Sequence, residues 1–521
     1  MKGVTLVMPN VDASQATLNA RKYAGGATAV WEFNWSLQMA RRLQAWGFNL
    51  IGDDSYVGLA PVNVDSRWGT SDGTIPLKLP FVFGTNVTRY AFQNNAGCGA
   101  ASPTKDLVHG MGSAYTGYAY SYGDYFDPGF DHCVQNLVQG SGVHRKATAL
   151  HNEYLLYITI DESDQTGGLI SSAGQDFPSA PPGHNGSGHP GWIALATAPT
   201  QSSNSAWGAT YTDPTVYTKR ALATMLATKY RTMAELNQAW GSNYSNFGSA
   251  GGWGKGAGLL DEDGTCPSRV RGARCWLGDQ YTLAGETAAM QTDLHNFYVI
   301  WLDQYFSIMQ NHWHDPASGA PGVMLLMSLG GWASPPRHEA LTEGAKYLDL
   351  PQLAQIPPPS YACPAGGCPD AQARIDFVAK YMGGRPWMNW QGIDANPDSA
   401  EAGNPSNSPY TLQGQRGAGY ASMMQQQLDA TDSLNHIHRI VGSYWWCAFD
   451  EHSESLNWGL ITPHDNPYDG KSATIAGGGL DLWGYPTGGE GANYGDFLSA
   501  VTRANFGAIT TLLNNKEGVS P

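Results

Sequence analysis

Charge is scarce in this sequence. Of its 521 residues 14% are Asp, Glu, Lys or Arg, and 29 basic residues face 44 acidic ones, a formal net charge of −15. No basic stretch is dense enough to neutralise a run of phosphates, so nucleic acid is not an expected partner. No apolar run approaches the roughly 18 residues of a bilayer-spanning helix, so no membrane partner is expected either. Internal repeats and low-complexity linkers are missing as well. Nothing divides the chain, and a single domain is expected over residues 1–521.

Metal and cofactor signatures are also wanting. The seven cysteines form no CxxC pair and no Cys/His ligand set. There is no Walker A sequence and no dinucleotide fingerprint between a strand and a helix. His312/His314 and His436/His438 stand two residues apart in or beside helical segments, which splays their rings. Neither a metal nor a cofactor is expected. Gly69-Thr70-Ser71-Asp72-Gly73 fits the GxSxG pattern in letters only. It follows Asp65-Ser66-Arg67-Trp68 rather than an apolar strand, so the strained elbow that exposes a serine nucleophile is missing.

The spacing of the cysteines points to an oxidising compartment. Cys266/Cys275 and Cys363/Cys368 each enclose a short loop, and Cys98 can pair with Cys133 across a longer one. Short stapled loops belong to secreted or periplasmic proteins. Cys447, inside the apolar run YWWCAF, is expected as a buried thiol outside any disulfide. Met1-Lys2-Gly3 reads as a mature start with an added methionine, consistent with a removed signal peptide.

Glycine (64) and proline (31) are plentiful and predict long irregular loops. So are tryptophan (18) and tyrosine (26). Most of these rings belong in the core. Aromatic faces also stack on the C–H faces of sugar rings, so an acidic, Trp-rich chain leans toward neutral carbohydrate ligands.

Along the chain, apolar strand-like runs alternate with amphipathic helices. Residues 31–47 place Phe33, Leu37, Ala40, Leu43 and Trp46 at helical spacing, with Gly47 as the stop. Strands are predicted at 48–55, 80–93, 155–163, 323–331, 346–350, 385–392 and 441–450. Helices are predicted at 125–140, 295–313 and 418–431, with a helix pair over 212–241 opened by Asp213-Pro214. Apolar strands alternating with helices imply a parallel sheet covered by helices. Seven strands, and an eighth near the N-terminus, give an α/β fold of the (β/α)₈ TIM-barrel type; a doubly wound open sheet is the alternative. Residues beyond the roughly 250 of a minimal barrel fall in loops near 94–122, 164–212, 242–292 and 393–417.

In such barrels the C-terminal strand ends build the active site. Here they carry Asp53/Asp54, Asp161/Glu162, Trp332, Gln391/Asp394, and Trp445/Trp446 with Asp450. Cleaving a glycosidic bond takes one carboxylic acid to protonate the leaving oxygen and a second carboxylate on the opposite face. Glu162 closes an apolar strand beside Asp161, where burial and a neighbouring acid keep a carboxyl protonated, so it is the expected acid/base. The plainer alternative is that these two acids begin a loop or hold a cation.

Three stretches resemble the clan A retaining glycoside hydrolases, relatives of the family 42 β-galactosidases and family 50 agarases. The helix pair YTKRALATMLATKYRTMAELNQAWGSNYSNF carries their Tyr-x₅-Leu-Asn-x₂-Trp-Gly signature at Tyr230, Leu236, Asn237, Trp240 and Gly241. RPWMNWQGIDANPDS, followed by Gln413 and Arg416 at a helix start, resembles their seventh strand. GSYWWCAFDEHSESLNWGLI resembles the eighth and is the most specific of the three. The resemblance spans roughly residues 30–470.

The resemblance implies that Glu162 is the acid/base at the end of strand four. Matching Asp398-Ser399 to the family's downstream Asp-Ser pair sets Gln391 where the nucleophilic glutamate belongs. A Gln has the shape but not the charge, so three readings stay open. Gln391 is a Glu→Gln change that traps substrate, or the nucleophile is Asp394 or Glu401, or the chain is a natural glycan binder. Asp161 stands where the family has a sugar-binding Asn and can accept but not donate. Trp445 and Trp446 resemble the sugar-stacking tryptophan after strand eight, with Trp446 favoured. Trp332, Arg337, Asp54 and Asp394 are further candidates for binding substrate.

The expected function is hydrolysis of a β-linked polysaccharide or oligosaccharide with retention. The alternative is an inactive glycan-binding barrel. A polysaccharide lyase is the third possibility, and it would need a Tyr, His or Lys base beside a uronate.

Overall fold

A computed structural model describes residues 1–4, 7–9, 13–23, 31–53, 55, 79–85, 111–112, 119–120, 125–141, 143–144, 155–161, 217–248, 258–261, 287–330, 338–354, 371–390, 410, 412–448, 459–461 and 494–516. Among these residues the dominant feature is one parallel sheet. Its strands are β1 (Lys2–Val4), β2 (Leu50–Ile51), β3 (Phe81–Gly84), β4 (Leu155–Thr159), β5 (Met324–Leu326 and Ser328–Gly330), β6 (Gln352–Ala354), β7 (Trp387–Trp390) and β8 (Ile440–Trp445). A separate antiparallel ladder pairs Met111–Gly112 with Ala119–Tyr120.

The sheet closes on itself. The first segment of β5 pairs with β4 (Tyr157↔Met324, Thr159↔Leu326) and the second pairs with β6 (Ser328↔Gln352). Only Met327 separates the two segments, so the two edges of the sheet are one strand with a kink. β1 lies between β2 and β8, with Gly3 opposite both Leu50 and Tyr444. The result is an eight-stave α/β barrel, and the open-sheet alternative falls.

Period-2 alternation sorts each stave into two layers. Leu50, Val82, Tyr157, Leu326, Met388 and Tyr444 meet inside the barrel. Ile51, Phe81, Ile158, Leu325, Leu353, Trp387 and Trp445 face the helices and join the larger core. Gly3 faces inward, and a side-chain carbon there would come within 2.5 Å of the Tyr444 ring.

The helices are α1 (Ala13–Tyr23), α2 (Trp31–Ala45), α3 (Pro128–Ser141), α4 (Tyr217–Tyr230), α5 (Met233–Trp240), α6 (Ala288–Trp313), α7 (His338–Tyr347), α8 (Ala371–Tyr381), α9 (Gln413–Asp429) and α10 (Tyr494–Lys516). Local chemistry sets their ends. Thr232 caps α5 by accepting the Glu235 amide at 3.3 Å, and Gly241 ends it at φ +64°, a left-handed conformation that favours glycine. Thr287 caps α6 through the Met290 amide (3.1 Å) and donates its hydroxyl to Ala239 O (2.8 Å), tying α6 to the end of α5.

Two expectations need correction. Residues 346–350 are not a strand: Lys346 and Tyr347 finish α7, and the stave starts at Gln352, after Pro351, which offers no amide hydrogen. The buried stripe of α2 is Trp35, Met39, Ala40 and Leu43, while Leu37 is only half-buried, so the core-facing side is rotated by part of a turn. Cys133 is disulfide-bonded, and Cys447 is buried and outside any disulfide. The other five cysteines lie outside the described residues. Among the described residues no helix is long and apolar enough to cross a membrane.

Candidate active site

Because all staves are parallel, their last residues share one rim. β7 and β8 end almost level there, with Trp390 opposite Tyr444. The end of β4 is held from both neighbours. Thr85, after β3, donates its amide and its hydroxyl to Thr159 O at 2.9 Å each. The Ile160 amide donates to Leu326 O on β5 at 2.9 Å.

Asp161 comes next and is fully buried. The Tyr305 hydroxyl, from α6, donates to its Oδ2 at 2.7 Å and sits 3.6 Å from the Met327 sulfur at the kink in β5. Tyr305 is wedged among Tyr125, Phe130 and Phe306, with centroid separations of 4.6, 6.4 and 5.1 Å. A rigid aromatic cluster thus reaches the end of β4 from the helix layer.

At the end of β8 the two tryptophans differ. Trp445 is buried against Tyr420 of α9 (5.5 Å, edge-on) and Phe497 of α10 (5.3 Å). The Arg416 guanidinium lies 5.1 Å from its ring and 4.3 Å from that of Phe497, and donates to Gly459 O at 3.1 Å. A ring enclosed in this way has no face to offer a sugar. Trp446 is half-buried and remains the candidate of the pair. Gln413 and Arg416 are likewise buried at the start of α9.

Below the rim, Tyr157 and Tyr444 project from opposite staves into the barrel, ring centroids 6.5 Å apart. Both hydroxyls are buried and have no hydrogen-bond partner among the described residues. Burial, and then the charge of Asp53 after β2, push the Tyr157 phenol well above its ordinary pKa. No group of three or more His, Cys, Asp or Glu among the described residues could hold a metal ion.

With that geometry in place, the chain superposes along almost its whole length on solved agarases. One is an exo-β-agarase (TM-score 0.56, 17% identity, 95% of this chain and 49% of that one). Another is the agarase AgWH50C (TM-score 0.55, 16% identity, 95% and 52%). What the chain shares with these agarases is the α/β TIM-barrel fold. The chain spans about half the length of these two agarases. No protein-family model and no curated protein matches its sequence.

On this barrel, the sequence-predicted residues divide between those whose surroundings are known and those outside the described residues. Asp161, Trp445 and Trp446 are described; Glu162, Gln391, Asp54, Trp332, Arg337 and Asp394 are not. Tyr305 was not anticipated from the sequence. Nothing marks it among the many rings of α6, and only the pairing with Asp161 singles it out.

Proposed function

We propose that this chain is a glycoside hydrolase for β-linked polysaccharides or oligosaccharides, acting with retention in a secreted or periplasmic setting. Glu162 protonates the leaving oxygen and then deprotonates water. Position 391 carries the nucleophile in the active form, at a carboxyl separation of about 5–5.5 Å. Trp446 stacks on the sugar, and Asp54, Trp332, Arg337 and Asp394 contribute polar and aromatic contacts around it.

The supporting observation is the shared rim. β4 runs out at Thr159 and β7 at Trp390, so positions 162 and 391 each fall just past the C-terminal end of a parallel stave. The agarase likeness adds a fold in which that rim commonly carries the chemistry. The Gln at position 391 favours one second reading, a barrel that binds glycans without cleaving them.

The test is Gln391→Glu against a panel of soluble β-glycans, with Glu162→Gln added as a control. Hydrolysis rising by several orders of magnitude, and lost again with the control, supports the assignment. A variant no faster than a parent that already hydrolyses moves the nucleophile to Asp394. No hydrolysis of any glycan favours the binding protein.

A further inference from the structure

The residue before the proposed acid/base is already engaged. Asp161 is fully buried and accepts the Tyr305 hydroxyl, and Tyr305 is itself fully buried in the aromatic cluster with Tyr125, Phe130 and Phe306. One oxygen of this carboxylate is thus committed to a tyrosine of the helix layer. Together with the bonds from Thr85 and to Leu326, it ties the end of β4 to β3, to β5 and to α6. An Asn here, as the resemblance calls for, would keep an acceptor for Tyr305 and add a donor.

Resting on the functional reading above, we propose that Tyr305 is a positioning residue. Through Asp161 it holds the end of β4 one residue before the proposed acid/base in sequence. Consecutive Cα atoms are about 3.8 Å apart, so anchoring residue 161 confines its neighbour. A catalytic group displaced by about 1 Å can lose about 10²-fold in rate, so the anchor acts on turnover rather than on binding.

The experiment uses the Gln391→Glu chain as parent and reads kcat and KM separately. Tyr305→Phe keeps the ring in its cluster and removes only the hydroxyl. It should lower kcat by about 10- to 100-fold and leave KM within about twofold. Asp161→Ala should do the same, and the two changes together should lose little more than either alone. Asp161→Asn, which keeps the acceptor, should stay within about threefold of the parent. A tenfold rise in KM for Asp161→Ala, with Tyr305→Phe like the parent, makes Asp161 a sugar ligand and overturns the inference. Unchanged kcat in both single variants overturns it as well. No hydrolysis by the parent overturns the functional reading, and this inference with it.

Discussion

Tyr157 and Tyr444 meet edge to face inside the barrel, and neither hydroxyl has a hydrogen-bond partner among the described residues. A buried polar group without a partner costs about 1–3 kcal/mol. Tyr444→Phe should therefore stabilise the protein by about 1 kcal/mol, seen as a higher urea midpoint with an unchanged slope. A lower midpoint would mean that the hydroxyl has a partner. Buried phenols also set the alkaline limit. Burial raises the phenols of Tyr157 and Tyr420 above their ordinary pKa, while in the unfolded chain both titrate near 10. Above that pH the folded state holds more protons than the unfolded state, so stability falls as pH rises; below it the two contribute a constant amount. Equilibrium unfolding followed from pH 9 to 11 should show this decline, and Tyr157→Phe should make it shallower.

Among whole elements, the docking of α4 and α5 onto α6 depends on one carboxylate. Asp293 is fully buried and accepts from Tyr230 Oη (2.6 Å), Trp240 Nε1 (2.8 Å) and Lys229 Nζ. Tyr230 and Trp240 belong to the signature that carries the family resemblance, and the structure gives them this anchoring role. Asp293→Ala leaves the tyrosine and indole donors unpaired and should cost about 3 kcal/mol, measurable as a lower thermal midpoint. At the α9–α10 contact, a side-chain carbon on Gly417 would meet Ala500 Cβ at 2.6 Å. Gly417→Ala should therefore separate the two helices and cost about 1–3 kcal/mol, although alanine is the better helix former.

Glycines of this kind also explain what the sequence hid. The pattern His338–Tyr347 reads poorly as a helix because Gly344 interrupts it. Gly344 is there because a side-chain carbon would approach Leu329 of β5 within 2.6 Å. Packing chose the residue against its local propensity, and the stave was misread as residues 346–350. Where apolar runs were longer, as in β4, α6 and β8, periodicity was enough to find the elements. The candidate site reads from the sequence only as positions after strand ends. That Trp445 faces the helices, and that Asp161 is bonded to a tyrosine 144 residues away, are tertiary facts with no local signal.

For the molecule as a whole, α10 completes the helix layer over the first and last staves. Asn505 accepts from Lys2 Nζ and Tyr420 Oη and donates to Trp46 O, while Phe497 packs on Trp445. Ending the chain before residue 494 should uncover this seam and abolish cooperative thermal unfolding, with near-ultraviolet circular dichroism lost first. A truncated chain that still melts sharply would show that the barrel stands without this helix.

The position of β1 between β2 and β8 bears on how the protein is made. A ribosome delivers residue 2 first, but its partner Ser443 leaves the exit tunnel only after some 440 further additions. At about 5–20 residues per second the first stave waits roughly 20–90 s for the last. Over that interval one flank of β1 is an open edge able to recruit the wrong strand. The nascent chain therefore depends, for about a minute, on being kept from its neighbours.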